Sequence, residues 1–379
     1  MNALAELRRL GQSIWYDNIS RDIIRRGELA AMVRDGLSGV TSNPTIFDKA
    51  ISGSTQYDEQ IQEIVAADPA VAVETIIQEL MIRDIQMAAD ELRTVFDRSG
   101  GADGYVSIEV TPSKARDTRA TVEEAHLLWS RVDRPNLMVK IPATREGLPA
   151  IEESIAAGVN INVTLIFSVE RYREVFQTYM AGLERRLRQN LPVDRVASVA
   201  SVFVSRLDTL VDSELDEKIH RGEGDPTTLE GLKGKAAVAN AKMVYAAFQE
   251  LAITERFRAL AARGARLQRP LWGSTGTKNP AYSDLLYVET LVGPDTVNTV
   301  PPQTLRAILD HLRPSRTVDQ TMEESRRLLA ALRSAGIDLD AATAKLEEDG
   351  VAAFEKSFDG LAAHLRTRRD ALAGGPGAR

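Results

Sequence analysis

The stretch NINVTLIFSVERYREVFQTYMAGLERRL, residues 160–187, carries a strand pattern followed directly by a helix pattern. Its first part is a short β-branched and apolar run, and Ser168 can cap the helical pattern that follows Phe167. Similar strand-like runs alternate with helical patterns near residues 13, 36, 104, 136, 160, 195, 269 and 296. Strands that alternate with helices pair in parallel, and eight such units close a barrel. The sequence therefore predicts an α/β fold, a (β/α)8 TIM barrel with additional N-terminal and C-terminal helices.

The length of 379 residues is compatible with two or three domains or with one barrel. No linker-like segment divides the chain, so we predict a single barrel domain over residues 1–379, with its strands within about 13–302. The patterns after Pro302 predict a helical segment over about 303–372 and a disordered tail over 373–379. The helical spacing of four residues predicts an apolar helix face that packs on the barrel and could also cover its mouth; they are Phe354, Phe358, Leu361 and Leu365.

Several places carry the residue types that begin helices. Asn43-Pro44 and Asn279-Pro280 each put a capping residue before a proline, and Thr121 with Glu124 has the spacing of a capping box. The glycine-rich segment 222–242 lacks the spacing of a phosphate-binding loop. We predict that it is a loop leading into a long helix.

Composition excludes several classes of function. The chain has no cysteine, which excludes disulfides, thiolate catalysis and iron–sulfur clusters. Its four histidines lack metal-ligand spacing, so we predict no metal and no cofactor; they are His126, His220, His311 and His364. The net charge of −7 argues against general nucleic-acid binding. No run approaches the roughly 18 apolar residues of a membrane span, and the N-terminus lacks a signal-peptide core, which predicts a cytoplasmic protein.

Polar side chains recur near the ends of the predicted strands. Because the active site of a (β/α)8 barrel is built from the C-terminal strand ends and the loops after them, we expect these side chains to meet at one mouth. They are Asp17, Asn43, Glu109, Lys140, Asn162, Thr164, Ser201, Arg206 and Ser274.

Each of these residues also has a structural explanation. Asn43 and Asp17 could cap the helices that follow them, and Glu109 could form a structural ion pair with Lys140. Small hydroxyl residues fit barrel interiors in any case, which applies to Thr164, Ser201 and Ser274. Arg206 and Lys278, with a helix expected after Asn279-Pro280, could form a phosphate site or could be ordinary surface charges.

Lys140 is the hardest of these residues to explain by structure alone. It lies inside the apolar strand pattern NLMVKIP, residues 136–142, and a lysine is rarely buried unless it is paired or functional. Burial disfavours the charged form of an amine, and a neutral amine attacks carbonyl carbon. The pattern therefore indicates a Schiff base with a ketone or aldehyde.

Together these segments resemble the transaldolases, in their longer bacterial form, over about residues 10–312. The resemblance rests on GVTSNPTIF, SIEVTPSKARDT, NLMVKIPAT, INVTLIFS, VASVFVSRLDTLVD, GLKGKAAVANAK, STGTKNPAYSDLLYVE and TVNTVPP. It implies a transferase of the pentose phosphate pathway that moves a dihydroxyacetone unit from a ketose phosphate (sedoheptulose 7-phosphate or fructose 6-phosphate) to an aldose phosphate (glyceraldehyde 3-phosphate or erythrose 4-phosphate). The implied partners are these sugar phosphates, and the implied assembly is a monomer or homodimer.

The resemblance also implies a role for each residue that matches its motifs. Lys140 would form the Schiff base, Asp17 would be the general base of C3–C4 cleavage, and Glu109 would move protons through a water near Thr164. Substrate would be bound by Asn43, Asn162, Ser201, Phe203, Arg206 and Lys278.

Two residues distinguish this chain from shorter members of these families. Shorter transaldolases have arginine where this chain has Lys278, so the phosphate would meet a point charge instead of a planar fork. Phe203 matches the transaldolases, whereas the shorter fructose-6-phosphate aldolases have tyrosine there. Two other functions stay open at this stage, an aldolase that releases dihydroxyacetone and a non-catalytic barrel that binds sugar phosphates.

Overall fold

A closed barrel of eight parallel strands forms the centre of the computed structural model, which describes residues 2–373. Each strand pairs with the next along the chain, and the first pairs with the last. The strands are β1 (Gln12–Asp17), β2 (Gly39–Thr41), β3 (Tyr105–Glu109), β4 (Leu137–Pro142), β5 (Ile161–Ile166), β6 (Ser198–Phe203), β7 (Arg269–Gly273) and β8 (Thr296–Val300). All eight predicted strands are present, and the predicted (β/α)8 barrel is confirmed.

Helices follow the strands and surround the barrel. The first group comprises α1 (Ala3–Arg9), α2 (Arg21–Arg25), α3 (Glu28–Asp35), α4 (Pro44–Ser52), α5 (Asp58–Ala67), α6 (Val73–Arg98), α7 (Thr118–Val132), α8 (Gly147–Ala157) and α9 (Val169–Arg188), with a 3₁₀ turn at Pro112–Lys114. The second group comprises α10 (Ser205–Arg221), α11 (Pro226–Glu230), α12 (Ala236–Ala252), α13 (Glu255–Ala261), α14 (Leu286–Glu289), α15 (Pro302–His311), α16 (Met322–Ser334) and α17 (Leu339–Ala373).

The barrel interior is divided into an apolar lower layer and a polar upper layer. Side chains alternate along a strand, so every second residue points inward. The lower layer is a separate apolar cluster made of Trp15, Tyr105, Met138, Ala197, Val199, Leu271 and Val297. Two residues further along β1, β4 and β6, the same face carries Asp17, Lys140 and Ser201. The polar residues of the sequence patterns therefore lie on the inward face, directly above a packed core.

The predicted capping box at Thr121 and Glu124 is wrong. Helix α7 begins three residues earlier, where Asp117 accepts a hydrogen bond from the Ala120 amide at 2.9 Å. The Glu124 carboxylate instead reaches back to the loop after β3 and accepts hydrogen bonds from Thr111, from its amide at 2.9 Å and its hydroxyl at 2.6 Å. The contact of Glu124 with Thr111 has therefore replaced the local capping contact that the sequence predicts.

The helix predicted after Asn279-Pro280 is also absent from the described chain. Asn279 caps a turn, since its side-chain oxygen accepts from the Ala281 amide at 2.9 Å. The next helix is α14, which begins at Leu286. The expected helix N-terminus beside Lys278 is therefore not available to an anion. The predictions at Asn43 and Ser168 are confirmed, since they cap α4 and α9.

The predicted C-terminal helical segment consists of α15, α16 and α17. The apolar face of α17 packs on the rest of the molecule, with Phe354, Leu361 and Leu365 at most 4% exposed and Phe358 half-buried. Of the predicted disordered tail, Ala373 ends α17 and residues 374–379 lie outside the described residues. The prediction of one domain over the whole chain stays a prediction.

Candidate active site

The upper layer opens into a cavity at the C-terminal ends of the strands. Most of the predicted site residues line it, namely Asp17, Asn43, Lys140, Thr164, Ser201, Phe203, Arg206, Ser274 and Lys278. Glu109 and Asn162 lie directly behind this lining, in contact with Lys140 and Ser201 respectively. The fold thus brings together residues from β1 and from β3 to β6, and from the segments that follow β2, β6 and β7.

Lys140 is held by oxygen atoms, although its strand is apolar. The side chain is buried, and its Nζ donates a hydrogen bond to the Ser42 carbonyl at 3.0 Å. Nζ also lies 3.1 Å from Oε2 of Glu109, a partner that the register of β3 and β4 places opposite it. The predicted ion pair is present, and it lies in the cavity wall.

Glu109 is poised to exchange a proton. Burial raises the pKa of Glu109, and the ammonium of Lys140 only partly opposes this. Neither carboxylate oxygen has a well-directed hydrogen bond to a described residue, and the buried Thr164 hydroxyl also has none. Buried polar groups are normally satisfied by protein or water. Glu109 and Thr164 are therefore suited to share a water.

Asp17 lies at the end of β1, where part of its surface faces the cavity. Burial raises the pKa of Asp17, while the Lys140 ammonium and a hydrogen bond from Thr41 lower it in part. The Thr41 hydroxyl donates to Asp17 Oδ1 at 2.8 Å and lies 2.6 Å from the Thr299 hydroxyl. Helix α2 is capped by Ser20, so Asp17 does not have the alternative role of a cap.

Three neighbouring polar residues fix one another across the barrel. The Asn162 amide donates from Nδ2 to the Ser107 hydroxyl at 3.0 Å, and Asn162 Oδ1 accepts from Ser201 Oγ at 2.6 Å. Asn162 is also paired in register with Lys140 on β4. These contacts set the orientation of the Asn162 amide before any ligand binds.

Asn43 caps a helix and also lines the cavity. Its Oδ1 accepts from the Ile46 amide at 2.9 Å and caps α4. The rest of its side chain lines the cavity. Its amide NH2 group is the part that can donate to a ligand.

The backbone is strained at one residue of the cavity wall and at one residue directly beside it. Leu165, next to Thr164, has a φ of 60°, and Ser274, directly after β7, has a φ of 53°. Left-handed conformations of non-glycine residues cost roughly 1 kcal/mol or more and cluster at functional sites. At Leu165 the strain accompanies an irregularity in the pairing of β5 with β6.

The basic side of the cavity is organised by α10. Arg206, the second residue of this helix, lies with its guanidinium carbon 5.3 Å from the centre of the Phe203 ring. Burial lowers the pKa of Arg206, and the charges of Asp349 and Glu109 oppose this. Lys278 is exposed at the mouth of the same cavity. Two cations thus face one space, as predicted, but without a second helix N-terminus.

Two aspartates of α10 hold the loops around these cations. Asp208 Oδ1 accepts from the Ala237 amide at 2.7 Å, and Asp208 Oδ2 accepts from the Tyr287 hydroxyl at 2.8 Å. Asp212 accepts from the Gly234 amide at 2.8 Å and from the Tyr282 hydroxyl at 2.7 Å. The glycine-rich loop and the loop that carries Lys278 are therefore both tied to the helix that carries Arg206.

Several residues of the site are not among those predicted from the sequence. Thr41, Ser107 and Thr299 lie within recognised motifs and on the inward face of their strands, so their alternation with the lower apolar layer was a usable signal. Phe354 was expected to pack on the barrel, but its position beside Lys140 had no local signal. Its ring centre lies 5.9 Å from Nζ of Lys140.

Residues 2–373 lack two other kinds of feature, a metal-binding cluster and a membrane-spanning helix. No group of three or more histidine, cysteine or acidic side chains in this range could hold a metal ion. None of the helices in this range combines the length and the apolar character needed to cross a bilayer.

The amino-acid sequence is similar to one protein family and to its members over almost the whole chain. The family model described as Transaldolase/Fructose-6-phosphate aldolase matches residues 14–365. A transaldolase of Saccharopolyspora erythraea is 50% identical over 370 residues, which cover 97% of this chain and 98% of the relative. A transaldolase of Thiobacillus denitrificans is 48% identical, with 96% and 100% covered. Transaldolase 2 of a Nostoc species is 44% identical, with 95% and 96% covered. The chain therefore belongs to the transaldolase/fructose-6-phosphate aldolase family.

Proposed function

We propose that this protein is a transaldolase, which transfers a dihydroxyacetone unit from a ketose phosphate to an aldose phosphate through a Schiff base on Lys140. The observation that carries this proposal is the buried Lys140 amine, 3.1 Å from the Glu109 carboxylate and in the same cavity as Asp17. An amine beside groups that take and return protons is what imine chemistry requires. The relatives that bear the name transaldolase favour transfer over simple release.

Formation of the Schiff base uses the Lys140–Glu109 pair. The Lys140 ammonium first gives a proton to Glu109, and the neutral amine attacks the C2 carbonyl of the ketose. The carbinolamine then loses water, with the proton supplied by Glu109 through the water that Thr164 helps to hold. Burial raises the pKa of Glu109, which favours the protonated carboxyl that this step needs as a proton donor.

Cleavage uses Asp17. The iminium on C2 draws electrons from the C3–C4 bond while Asp17 removes the proton of the C4 hydroxyl. The bond breaks, the aldose phosphate leaves, and the three-carbon unit remains as an enamine on Lys140. The burial that raises the pKa of Asp17 also makes its ionised form a stronger base. Addition of the enamine to a new aldehyde runs the same steps in reverse.

Binding of the substrate divides between two sides of the cavity. Asn43 and Asn162 lie on the side of Lys140 and are suited to the hydroxyls of the dihydroxyacetone unit. Arg206 and Lys278 are suited to the phosphate, because both are cationic and line the cavity. Ser201 supplies a hydroxyl near them, and Phe203 packs against the Arg206 guanidinium.

Reductive trapping tests the covalent step. The protein is incubated with fructose 6-phosphate and borohydride, and the modified peptide is identified by mass spectrometry. We expect the adduct on the peptide that contains Lys140, and we expect Lys140→Ala to abolish it. Lys278→Ala is the matched control, since this second lysine of the cavity should not carry the adduct at saturating substrate. An adduct on another lysine, or none in the wild-type protein, refutes the mechanism.

Dependence on the acceptor separates transfer from release. Glyceraldehyde 3-phosphate is formed from fructose 6-phosphate in either case, but a transaldolase forms it repeatedly only when erythrose 4-phosphate accepts the three-carbon unit. Equal rates with and without the acceptor would identify an aldolase. The preferred sugars, the monomeric or homodimeric state and the cytoplasmic location stay predictions from the sequence.

A further inference from the structure

Phe354 of α17 is an aromatic side chain placed over the reactive amine. Its ring centre lies 5.9 Å from Nζ of Lys140, it lines the cavity together with Asp17, and 4% of its surface is exposed. It comes from the C-terminal helix, whereas the polar groups of the site come from the barrel strands and their loops. Phe354 therefore adds an apolar wall from outside the barrel, beside the charged and hydroxyl groups that surround Lys140.

Contacts on both sides of Phe354 hold α17 in this position. Before it, Glu347 pairs with Arg171 at 3.3 Å. After it, Ser357 lies 2.7 Å from the Thr45 hydroxyl, and Arg368 donates to the Ile51 carbonyl at 2.7 Å. The helix is thus anchored to α4 and α9, two helices that follow the strands β2 and β5.

Gly350, one helical turn before Phe354, allows α17 to lie close to the barrel. A Cβ atom at this position would be 2.9 Å from a methyl carbon of Leu165 and 3.6 Å from a guanidinium nitrogen of Arg206. A glycine inside a helix is unfavourable relative to alanine. Here it permits a close approach to the strained residue next to Thr164. With a larger residue at this position, either the Leu165 side chain or the helix that carries Phe354 would have to shift.

We propose that Phe354 shields the Lys140 intermediate from solvent water and thereby sets the ratio of transfer to hydrolysis. This inference rests on the proposed transaldolase function. In that reaction the three-carbon unit must stay on Lys140 after the first aldose phosphate leaves and until the second one binds. Exclusion of water is the general means by which a closed site protects a reactive intermediate from hydrolysis.

The side reaction that the shield suppresses is hydrolysis of the intermediate, which needs only water and the groups already in the site. The enamine takes a proton at C3, namely the one that Asp17 removed from the C4 hydroxyl. Water then adds to C2 of the resulting iminium, and the C2–N bond of the carbinolamine breaks. Dihydroxyacetone leaves, and the Lys140 amine is regenerated. The water consumed here equals the water released when the Schiff base formed.

Three variants separate shielding from other effects of the helix. Phe354→Ala removes the wall, and Phe354→Leu keeps apolar bulk but lacks the aromatic face that contacts an ammonium. Leu361→Ala is the matched control, because Leu361 is a fully buried residue of the same helix and does not line the cavity. It reports the effect of loosening α17 without opening the site.

The measurement is the rate of glyceraldehyde 3-phosphate release from fructose 6-phosphate without acceptor, divided by the rate with erythrose 4-phosphate. We expect this ratio to rise about tenfold in Phe354→Ala, to rise much less in Phe354→Leu, and to stay at the wild-type value in Leu361→Ala. An unchanged ratio in Phe354→Ala overturns the proposal. An equal rise in Leu361→Ala also overturns it, because the effect then comes from loosening of α17. An equal rise in Phe354→Leu overturns it as well, because the effect then depends on the aromatic ring face and not on apolar bulk.

Borohydride trapping on the same variants keeps the two proposals distinct. Phe354→Ala should still form the adduct on Lys140, since Lys140, Glu109 and Asp17 are intact. An unchanged ratio together with normal trapping refutes only the shielding role. Loss of trapping in the wild-type protein refutes the proposed function itself.

Discussion

Replacement of Asp208 by asparagine should change how the stability of the protein depends on pH. Asp208 is 1% exposed and accepts hydrogen bonds from the Ala237 amide and the Tyr287 hydroxyl. Burial is the main cause that raises its pKa from 3.8 to about 6. The asparagine variant should keep both contacts, because its oxygen accepts from the amide and the Tyr287 hydroxyl can rotate to accept from Nδ2.

The direction of the effect follows from the raised pKa. Protonated Asp208 is favoured in the folded state, so its contribution to stability is fully present below pH 3.8 and is lost as the pH rises through about 6. A shift of about two units corresponds to about 3 kcal/mol, of which roughly half is lost between pH 5 and pH 8. The asparagine side chain does not titrate, so the Asp208→Asn variant should gain stability relative to the wild type over this range.

Urea denaturation of both proteins at pH 5 and pH 8 measures this difference. All other titrating groups are shared, so they cancel when the two proteins are compared at each pH. We expect the free energy of unfolding of the variant, minus that of the wild type, to be higher at pH 8 by about 1 to 2 kcal/mol. A difference that does not change with pH, or that falls, would show that Asp208 is ionised in the folded protein at pH 5.

Three further substitutions test the roles of other residues. Asp17→Asn should still give a borohydride adduct but should lower turnover at least a hundredfold, roughly the effect of losing a general base; full turnover of the variant excludes Asp17 as the base. In the wild type, kcat/KM should fall on the acid side at a pH above the usual aspartate range, because burial raises the pKa of Asp17. Arg206→Ala should raise KM for fructose 6-phosphate about tenfold or more but leave the reaction of unphosphorylated fructose unchanged, and an unchanged KM places the phosphate elsewhere. Gly234→Ala should raise the KM for fructose 6-phosphate several-fold. Gly234 has a φ of 67°, and an added Cβ would lie 2.6 Å from the ring of Tyr282, in the loop that carries Lys278. Gly222→Ala is the control, because Gly222 is also at positive φ but an added Cβ there would have no neighbour within 4 Å.

The barrel could be predicted because strand and helix patterns alternate along the whole chain. Each strand run was long enough to be recognised, and the parallel arrangement follows from the intervening helices. Helix starts were harder to predict, as the region from Asp117 to Glu124 shows. Asp117 was available as a cap three residues before Ala120, and Glu124 is bound by a loop that is distant in the chain. Local patterns cannot show which of two possible caps the tertiary structure uses.

The polar residues of the site could be predicted for a similar physical reason. Inward positions of a barrel strand are normally apolar, so Lys140 within NLMVKIP indicates a charge that the fold must accommodate. What surrounds that charge depends on distant segments. The Ser42 carbonyl, which accepts from Lys140, and Phe354, which covers it, have no local relation to β4. Their positions follow from the closure of the barrel and the path of α17.

The ion pair also decides whether Lys140→Ala is a fair test of the mechanism. Removal of one partner from a buried ion pair usually destabilises a protein strongly, because the other charge is left uncompensated. Glu109 has a second option, since burial raises its pKa and Lys140 is the largest of the influences that lower it. Without Lys140 the Glu109 carboxyl takes up a proton and becomes neutral, so the barrel need not hold an unpaired charge. A folded Lys140→Ala variant that forms no adduct therefore reports on the chemistry of the amine, and addition of Glu109→Gln to that variant should restore little further stability.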